Sequence, residues 1–307
     1  MARVVVTRPL PGDAVERIAE AGHDLRTWPG ELPPTRGELR ALAAEAEGLL
    51  TLLTDRVDQA LLDAAPDLRV VSNFAVGSDN VDLDACAARG VPVGVTPGVL
   101  TDATADLTLA LILAAARNLF AAALDVREGR WRTWEPRGWL GLELRGARLA
   151  VVGPGRVGTA VADRARAFGM DVEPVGRRDD LHAALARADV VSLHVPLTPE
   201  SRHLIDAEAL AVMQRTAILV NTARGGIVDQ DALVAALHER RIAGAALDVT
   251  DPEPPRPGDP LLRAPNLLVV PHIASATRTT RARMAAIAAD NLLAGLAGEP
   301  LPHPARP

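Results

Sequence analysis

The chain has 307 residues, 48% of them hydrophobic and 23% charged, with a net charge of −6. That length suits about two domains of ~100–200 residues; the composition excludes a disordered chain, and the acidic balance excludes a broad nucleic-acid surface. Cys86 is the single cysteine, so no intramolecular disulfide forms and a reducing, cytoplasmic setting is expected. Arginine supplies all 33 basic charges, since the chain has no lysine. The uncharged run between Arg3 and Arg8 is too short for a signal-peptide core. The longest apolar stretch, within Leu107–Ala116, falls short of the ~20 residues a spanning helix needs, so no membrane partner is expected.

Short β-rich runs alternate with amphipathic stretches almost throughout. Val4–Thr7 reads as a strand and Gly12–Ala21 as a helix, with Val15, Ile18 and Ala19 at helical spacing. Strands follow at Leu49–Leu53, Leu68–Ser72 and Val91–Val95, with a helix at Asp58–Ala65. This rhythm predicts a parallel, doubly wound sheet. Turn chemistry at Thr96-Pro97-Gly98 marks a boundary. Beyond it a long helix is predicted from Thr101 to Glu128, spanning about 40 Å. Residues 129–146 hold Trp131, Trp134 and Trp139 among Arg, Pro and Gly, and form no regular element.

A second series of strands is predicted at Arg148–Val152, Asp171–Val175, Val190–His194, Ile218–Asn221, Gly244–Val249 and Leu267–Val270, with a last helix over Ser275–Leu296. The proline cluster Pro252 to Pro260 reads as a rigid loop. The fold class is therefore α/β, with two doubly wound, Rossmann-like parallel-sheet domains. A glycine fingerprint lies mid-chain, so the expected organisation is discontinuous: residues 1–99 with 278–307 in one domain, and 100–277 in a dinucleotide-binding domain.

That fingerprint is Gly153-Pro154-Gly155-Arg156-Val157-Gly158, a G-x-G-x-x-G run after an apolar strand and before a helical pattern. Gly153 permits the tight turn, Gly155 lets the backbone approach a pyrophosphate, and Gly158 lets helix and strand pack closely. The next strand ends in Gly176-Arg177-Arg178. NAD-type sites place an acid here for the ribose 2′-hydroxyl; glycine followed by two guanidinium groups suits a 2′-phosphate instead. NADP(H) is the expected cofactor, with NAD(H) as the alternative. No metal site is expected.

Three later strands end in chemistry-bearing residues: Arg224 in Asn221–Gly226, then Asp248 with Glu253 beyond it, then His272. In a parallel sheet the carboxyl ends share one edge, where ligands bind. A ketone being reduced needs a proton donor, for which histidine is the usual group; a carboxylate beside it favours imidazolium, and an arginine grips a substrate carboxylate. Each has a plainer reading as a surface histidine, a salt-bridge arginine, a solvated loop acid or an N-cap.

The chain resembles the D-isomer-specific 2-hydroxyacid dehydrogenases. The resemblance rests on Asn73–Asn80, Thr96–Asp102, the fingerprint, His194–Thr198, Asn221–Gly226, Leu247–Pro254 and Pro271–Thr277. Ser72–Gly77, Val99–Asp102, Asp248-Val249-Thr250 and Asn291–Pro300 bring it nearest to the glyoxylate and hydroxypyruvate reductase branch. The resemblance implies His272 as acid and base, Glu253 as its partner and Arg224 as a substrate ligand. It implies that backbone N–H groups at Val76-Gly77 hold the substrate carboxylate, with Ser275 nearby. Asp248 would contact the nicotinamide amide, while Pro196, Thr222, Ala223, His272 and Ala274 would line the cofactor. It also implies a cleft between two domains and a homodimer joined through the nucleotide domain; three tryptophans in an irregular segment, costly to leave in water, place the helix from Thr101 and the Trp131–Trp139 segment in the expected interface.

Two departures stand out: Ala274 replaces a family glycine, and the excursion after Arg178 is shortened. Two other readings stay open: an NADH-dependent enzyme for a bulkier 2-oxo acid, and a cofactor-sensing, corepressor-like binding module.

Overall fold

The computed structural model describes residues 1–306, so the last residue of the expected stretch 278–307 lies outside the described residues. The chain divides into two compact units: Met1–Leu100 with the chain from Ala276 onwards, and Thr101–Ser275. Each has its own all-parallel sheet.

The first unit runs β1 (Arg3–Val6), α1 (Ala14–Glu20), β2 (Asp24–Thr27), α2 (Arg36–Ala43), β3 (Gly48–Thr51), α3 (Gln59–Ala64), β4 (Val70–Asn73), α4 (Leu83–Ala88) and β5 (Val93–Gly94). The sheet order is β2-β1-β3-β4-β5. β3 and β4 are buried along their whole length, as interior strands covered on both faces are. β2 lies at the edge, and its Asp-Leu-Arg-Thr alternation is only half covered; no apolar run announces it. α2 opens on a capping box in which Thr35 and Glu38 satisfy each other's backbone N–H groups. The expected strand Val91–Val95 shrinks to two residues because its flanks pair elsewhere: the Val91 N–H donates to Cys86 O and the Val95 N–H to His303 O.

The second unit begins with α5 (Thr101–Ala116) and α6 (Leu119–Arg127). The single long helix expected here is broken: Asn118 takes a left-handed φ of 51°, and the two axes diverge by 65°. No single helix among the described residues is long and apolar enough to cross a membrane. After the irregular stretch come β6 (Arg148–Val152), α7 (Arg156–Ala167), β7 (Asp171–Val175), α8 (Leu181–Arg187), β8 (Val190–Leu193), α9 (Ala207–Val212), β9 (Ile218–Asn221), α10 (Gln230–His238), β10 (Gly244–Leu247) and β11 (Leu267–Val269). The order β11-β10-β9-β8-β6-β7 reverses direction beside β6, the switch point where doubly wound sheets bind ligands. One face packs Leu149, Val151 and Val190 against Ile112 and Val161 of α5 and α7. The other packs Leu193 and Leu219 against Leu185, Leu210 and Leu237 of α8, α9 and α10.

The chain then returns to the first unit as α11 (Arg278–Ala297), capped by Thr277 and therefore starting three residues later than its apolar pattern implied. Met284, Ala288 and Leu292 on α11 pack against Val4, Leu50 and Val70 of the first sheet.

Candidate active site

β6 and α7 place the glycine fingerprint as a strand–turn–helix. Gly153 has φ +91°, and a Cβ there would lie 2.8 Å from the His194 carbonyl carbon. A Cβ on Gly158 would lie 2.3 Å from Gly153 O, so α7 seats on the turn only through a glycine. A Cβ on Gly155, by contrast, would meet no protein atom within 4 Å. That open position at the head of a twelve-residue helix fits a pyrophosphate against backbone N–H groups. Arg156 and Val157 form the first turn of α7 behind it.

The end of β7 differs from the sequence-based expectation. Arg177 and Arg178 are exposed, and Arg177 stands 4.0 Å from Glu200. An acid is nevertheless present: the chain turns back, and the Gly176 N–H donates to Asp179 Oδ2 at 2.7 Å. The tight turn is closed by Asp180, which caps α8 by accepting from the Ala183 N–H at 3.0 Å. Shortening the excursion after Arg178 thus sets a carboxylate beside Gly176.

At the carboxyl edge of β8 to β11 the structure brings together most of the predicted reactive residues. β9 delivers Arg224, whose backbone carbonyl accepts from Asn221 Nδ2 at 2.8 Å. The next glycine is locked beneath the following loop, since a Cβ on Gly225 would lie 2.0 Å from Thr250 backbone atoms. β11 delivers His272, a non-glycine residue with φ 51°. Its N–H donates to Asp248 O and Val270 O at 2.9 and 3.0 Å. His272 Nδ1 and Glu253 Oε1 lie 2.5 Å apart, with the His272 side chain 23% and the Glu253 side chain 32% exposed. Glu253 thus engages the ring through Nδ1.

Asp248 fastens this corner. Its carboxylate accepts from the Ile273 N–H at 2.6 Å and the Ala274 N–H at 2.9 Å, on opposite oxygens. Burial, with the nearby Glu253 charge, holds the Asp248 carboxyl above the usual range, and those two N–H groups and His272 offset this only in part. Ala274 is buried without a left-handed backbone, so the methyl that departs from the family pattern introduces no strain. Ser275 follows at the end of the unit.

Thr222 and His194 complete the edge. The Thr108 hydroxyl on α5 donates to Thr104 O at 2.8 Å and, with its proton so engaged, accepts from Thr222 at 2.9 Å. His194, just past β8, lies 2.7 Å from the Ser192 hydroxyl through Nε2, and burial lowers its pKa to about 4, so it is neutral at pH 7. Pro196 is exposed and its carbonyl accepts from Ser201 Oγ at 2.6 Å; Ala223 is partly buried beside Thr222. Sequence reasoning missed Thr108 and Ser192. Thr108 meets Thr222 only across packed elements, whereas Ser192, two residues before His194, lies on the same side of its strand and was readable from strand alternation; Asp179, three residues after Gly176, is a readable turn signal.

In the first unit, Val76 and Gly77 follow β4. Val76 is 37% exposed, and among the described residues neither its N–H nor that of Gly77 finds a protein acceptor.

The family model for "D-isomer specific 2-hydroxyacid dehydrogenase, NAD binding domain" matches residues 109–274. A glyoxylate reductase of Aeropyrum pernix is 46% identical over 318 residues, covering 98% of this chain and 95% of that protein. The chain belongs to the D-isomer-specific 2-hydroxyacid dehydrogenase family. The crystal structure of the TT0316 protein from Thermus thermophilus superposes on this dehydrogenase with a TM-score of 0.93 at 49% identity, covering 99% of this chain and 100% of that one. An NADPH-dependent glyoxylate/hydroxypyruvate reductase from Sinorhizobium meliloti, solved with NADP and malonate, reaches a TM-score of 0.85 at 31% identity, covering 99% of this chain and 96% of that one. As a member of the family, this dehydrogenase is an oxidoreductase acting on the CH–OH group of donors with NAD(P). The stretch matched by the family model carries the fingerprint turn, Arg224, Asp248, Glu253 and His272.

Proposed function

We propose that this dehydrogenase reduces glyoxylate, and hydroxypyruvate as a second substrate, to the 2-hydroxy acid, D-specific where the product is chiral. The observation that carries this reading is the His272–Glu253 pair at one sheet edge with Arg224 and the dinucleotide turn. The glyoxylate reductases among the relatives support the substrate class.

Residues 100–277 serve as the nucleotide domain and residues 1–99 with 278–307 as the substrate domain. A bound reduced nicotinamide supplies a hydride to C2 of the 2-oxo acid. His272 Nε2 delivers the proton to the C2 oxygen. Glu253 accepts the Nδ1–H, holds the ring in one orientation and stabilises the imidazolium before transfer. Arg224 forks onto the substrate carboxylate, with the Val76 and Gly77 N–H groups and Ser275 completing its surroundings. Asp248, while holding the His272 loop, contacts the nicotinamide amide; Pro196, Thr222, Ala223 and Ala274 line the cofactor.

NADPH is the preferred cofactor in this reading because Arg177 and Arg178 are the exposed cations beside Gly176. The Asp179 carboxylate opposes a 2′-phosphate and narrows the preference. The enzyme acts in the cytoplasm as a homodimer joined through α5, α6 and the Trp131–Trp139 segment. Supporting this, Trp131 and Trp134 are 66% and 78% exposed in the single chain, large aromatic surfaces of the kind enriched at interfaces.

Initial rates with glyoxylate and hydroxypyruvate, each with NADPH and NADH, test the reading. Turnover with neither acid would overturn it. Light scattering at micromolar concentration tests the dimer, which a monomer mass would exclude.

A further inference from the structure

The Val76–Gly77 loop sits on a buried polar network that the proposed reaction does not use directly. Asn73, at the end of β4, is fully buried. Its Nδ2 donates to Gly77 O and to Asn80 Oδ1, both at 3.0 Å, and its Oδ1 accepts from the Thr51 hydroxyl at 3.1 Å. Asn80 in turn donates to Leu52 O at 3.1 Å and Asp55 O at 2.8 Å. The Asp55 carboxylate, also buried, accepts from the Thr7 hydroxyl and from the Leu52 N–H. The ends of β1, β3 and β4 are thereby tied through side chains to residues 77–80.

The consequence for the loop follows from peptide geometry. The Ala75 carbonyl accepts from the Thr96 N–H at 2.8 Å. In a trans peptide the N–H points opposite to the C=O, so this bond turns the Val76 N–H away from Thr96. The next fixed plane is that of Gly77, whose carbonyl is held by Asn73. The Val76–Gly77 peptide is suspended between two anchored ones, and among the described residues the Val76 and Gly77 N–H groups have no protein acceptor. Consecutive N–H groups held in this way form an anion-binding concavity. An exposed loop would ordinarily fluctuate among several peptide orientations.

We propose that Asn73, braced by Asn80, is a positioning residue for substrate binding: by pinning the Gly77 carbonyl it pre-organises the Val76 and Gly77 N–H groups for the carboxylate of a 2-oxo acid. The inference rests on the proposed role of those two N–H groups. It predicts an effect on substrate affinity with little on the chemical step, because the carboxylate is bound alike in ground and transition states.

Asn73→Asp keeps shape and the acceptor for Thr51 but replaces both donors by a carboxylate facing Gly77 O. KM for glyoxylate should rise by about 10-fold or more while kcat stays within about twofold and cofactor Kd is unchanged. Asn80→Asp keeps the acceptor for Asn73 and loosens only the brace, so KM should rise by about threefold. Thr51→Val removes a hydrogen bond of the same network on the far side of Asn73; it should lower Tm yet leave KM within about twofold, separating positioning from stability. Amide NMR of the parent protein with oxamate, an unreactive carboxylate, tests the loop itself. If the Val76 and Gly77 N–H signals do not move, the reading of the loop and this inference both fall. If they move and Asn73→Asp binds glyoxylate like the parent, only the inference falls. Equal KM effects in Thr51→Val and Asn73→Asp would also overturn it, by showing a general loss of structure.

Discussion

The two units share an architecture and furnish its carboxyl edge in opposite ways. Both are parallel, doubly wound sheets whose strand ends carry polar residues. In Thr101–Ser275 those ends present side chains: Arg224, Glu253 and His272, with Asp248 fastening the loop beneath. In the first unit the polar side chains at the strand ends turn inward and are buried, and the loop above them presents backbone N–H groups. Proton transfer requires groups that can gain and lose protons, which backbone amides do not. Recognition of a fixed carboxylate requires only rigid donors, which backbone amides supply at low entropic cost. Under the proposed function, one edge is therefore sensitive to what its side chains are, the other to how its backbone is held.

Substitutions that probe this contrast differ in size. The largest effect belongs to His272→Gln, which removes the acid while keeping a hydrogen-bonding group of similar reach. We expect kcat to fall by about 100-fold or more, on the scale of a lost general acid. Near-parent turnover would remove His272 from the mechanism and with it the contrast. Arg224→Lys keeps the charge and loses the planar fork; KM should rise and kcat fall, with kcat/KM down by about 30-fold and cofactor Kd unchanged. An effect confined to cofactor binding would refute that role.

His194 tests whether the reactive edge also carries a cost in acid. Its folded pKa of about 4 lies below the unfolded value, so the unfolded state takes up the proton first as pH falls. Stability is fully present above about pH 6.5 and is lost between there and about pH 4, by about 2 kcal/mol once partial exposure is discounted. Denaturant midpoints at pH 7 and 4.5 should converge in His194→Gln; an unchanged pH slope in that variant would exclude His194 as the source.

Asp179→Ala removes the acid beside Gly176 and leaves both arginines. The ratio of kcat/KM for NADPH over NADH should rise by about fivefold at low salt and by less at high salt, since this turn faces solvent. No change in the ratio would mean that the carboxylate does not meet the ribose. The smallest effect is expected at Val76→Ala, which alters the side chain and keeps the N–H. A KM within about twofold of the parent is the signature of a backbone donor, and a large rise would transfer the role to the Val76 side chain.

Local signals carried much of the molecule. The strand Arg148–Val152, the turn from Gly153 and the helix after it are legible because steric demands at Gly153 and Gly158 arise within a few residues of one chain segment. The interior strands Val190–Leu193 and Ile218–Asn221 are legible because β-rich, largely apolar runs bounded by turns leave few alternatives. The meeting of His272 with Glu253, and the place of Arg224 at the end of a neighbouring strand, follow from the rule that parallel strand ends share an edge. The tertiary structure alone decided what depends on distant partners. The Asp248 carboxylate reaches the N–H groups of Ile273 and Ala274, and Thr222 meets Thr108, across separations no sequence pattern encodes. The break at Asn118, in a stretch that reads as continuous helix, falls where that residue takes a left-handed φ and its side chain donates to Leu140 O, 22 residues away. Asn73 folds onto Gly77 because a buried polar group must be satisfied by whichever neighbour the fold supplies.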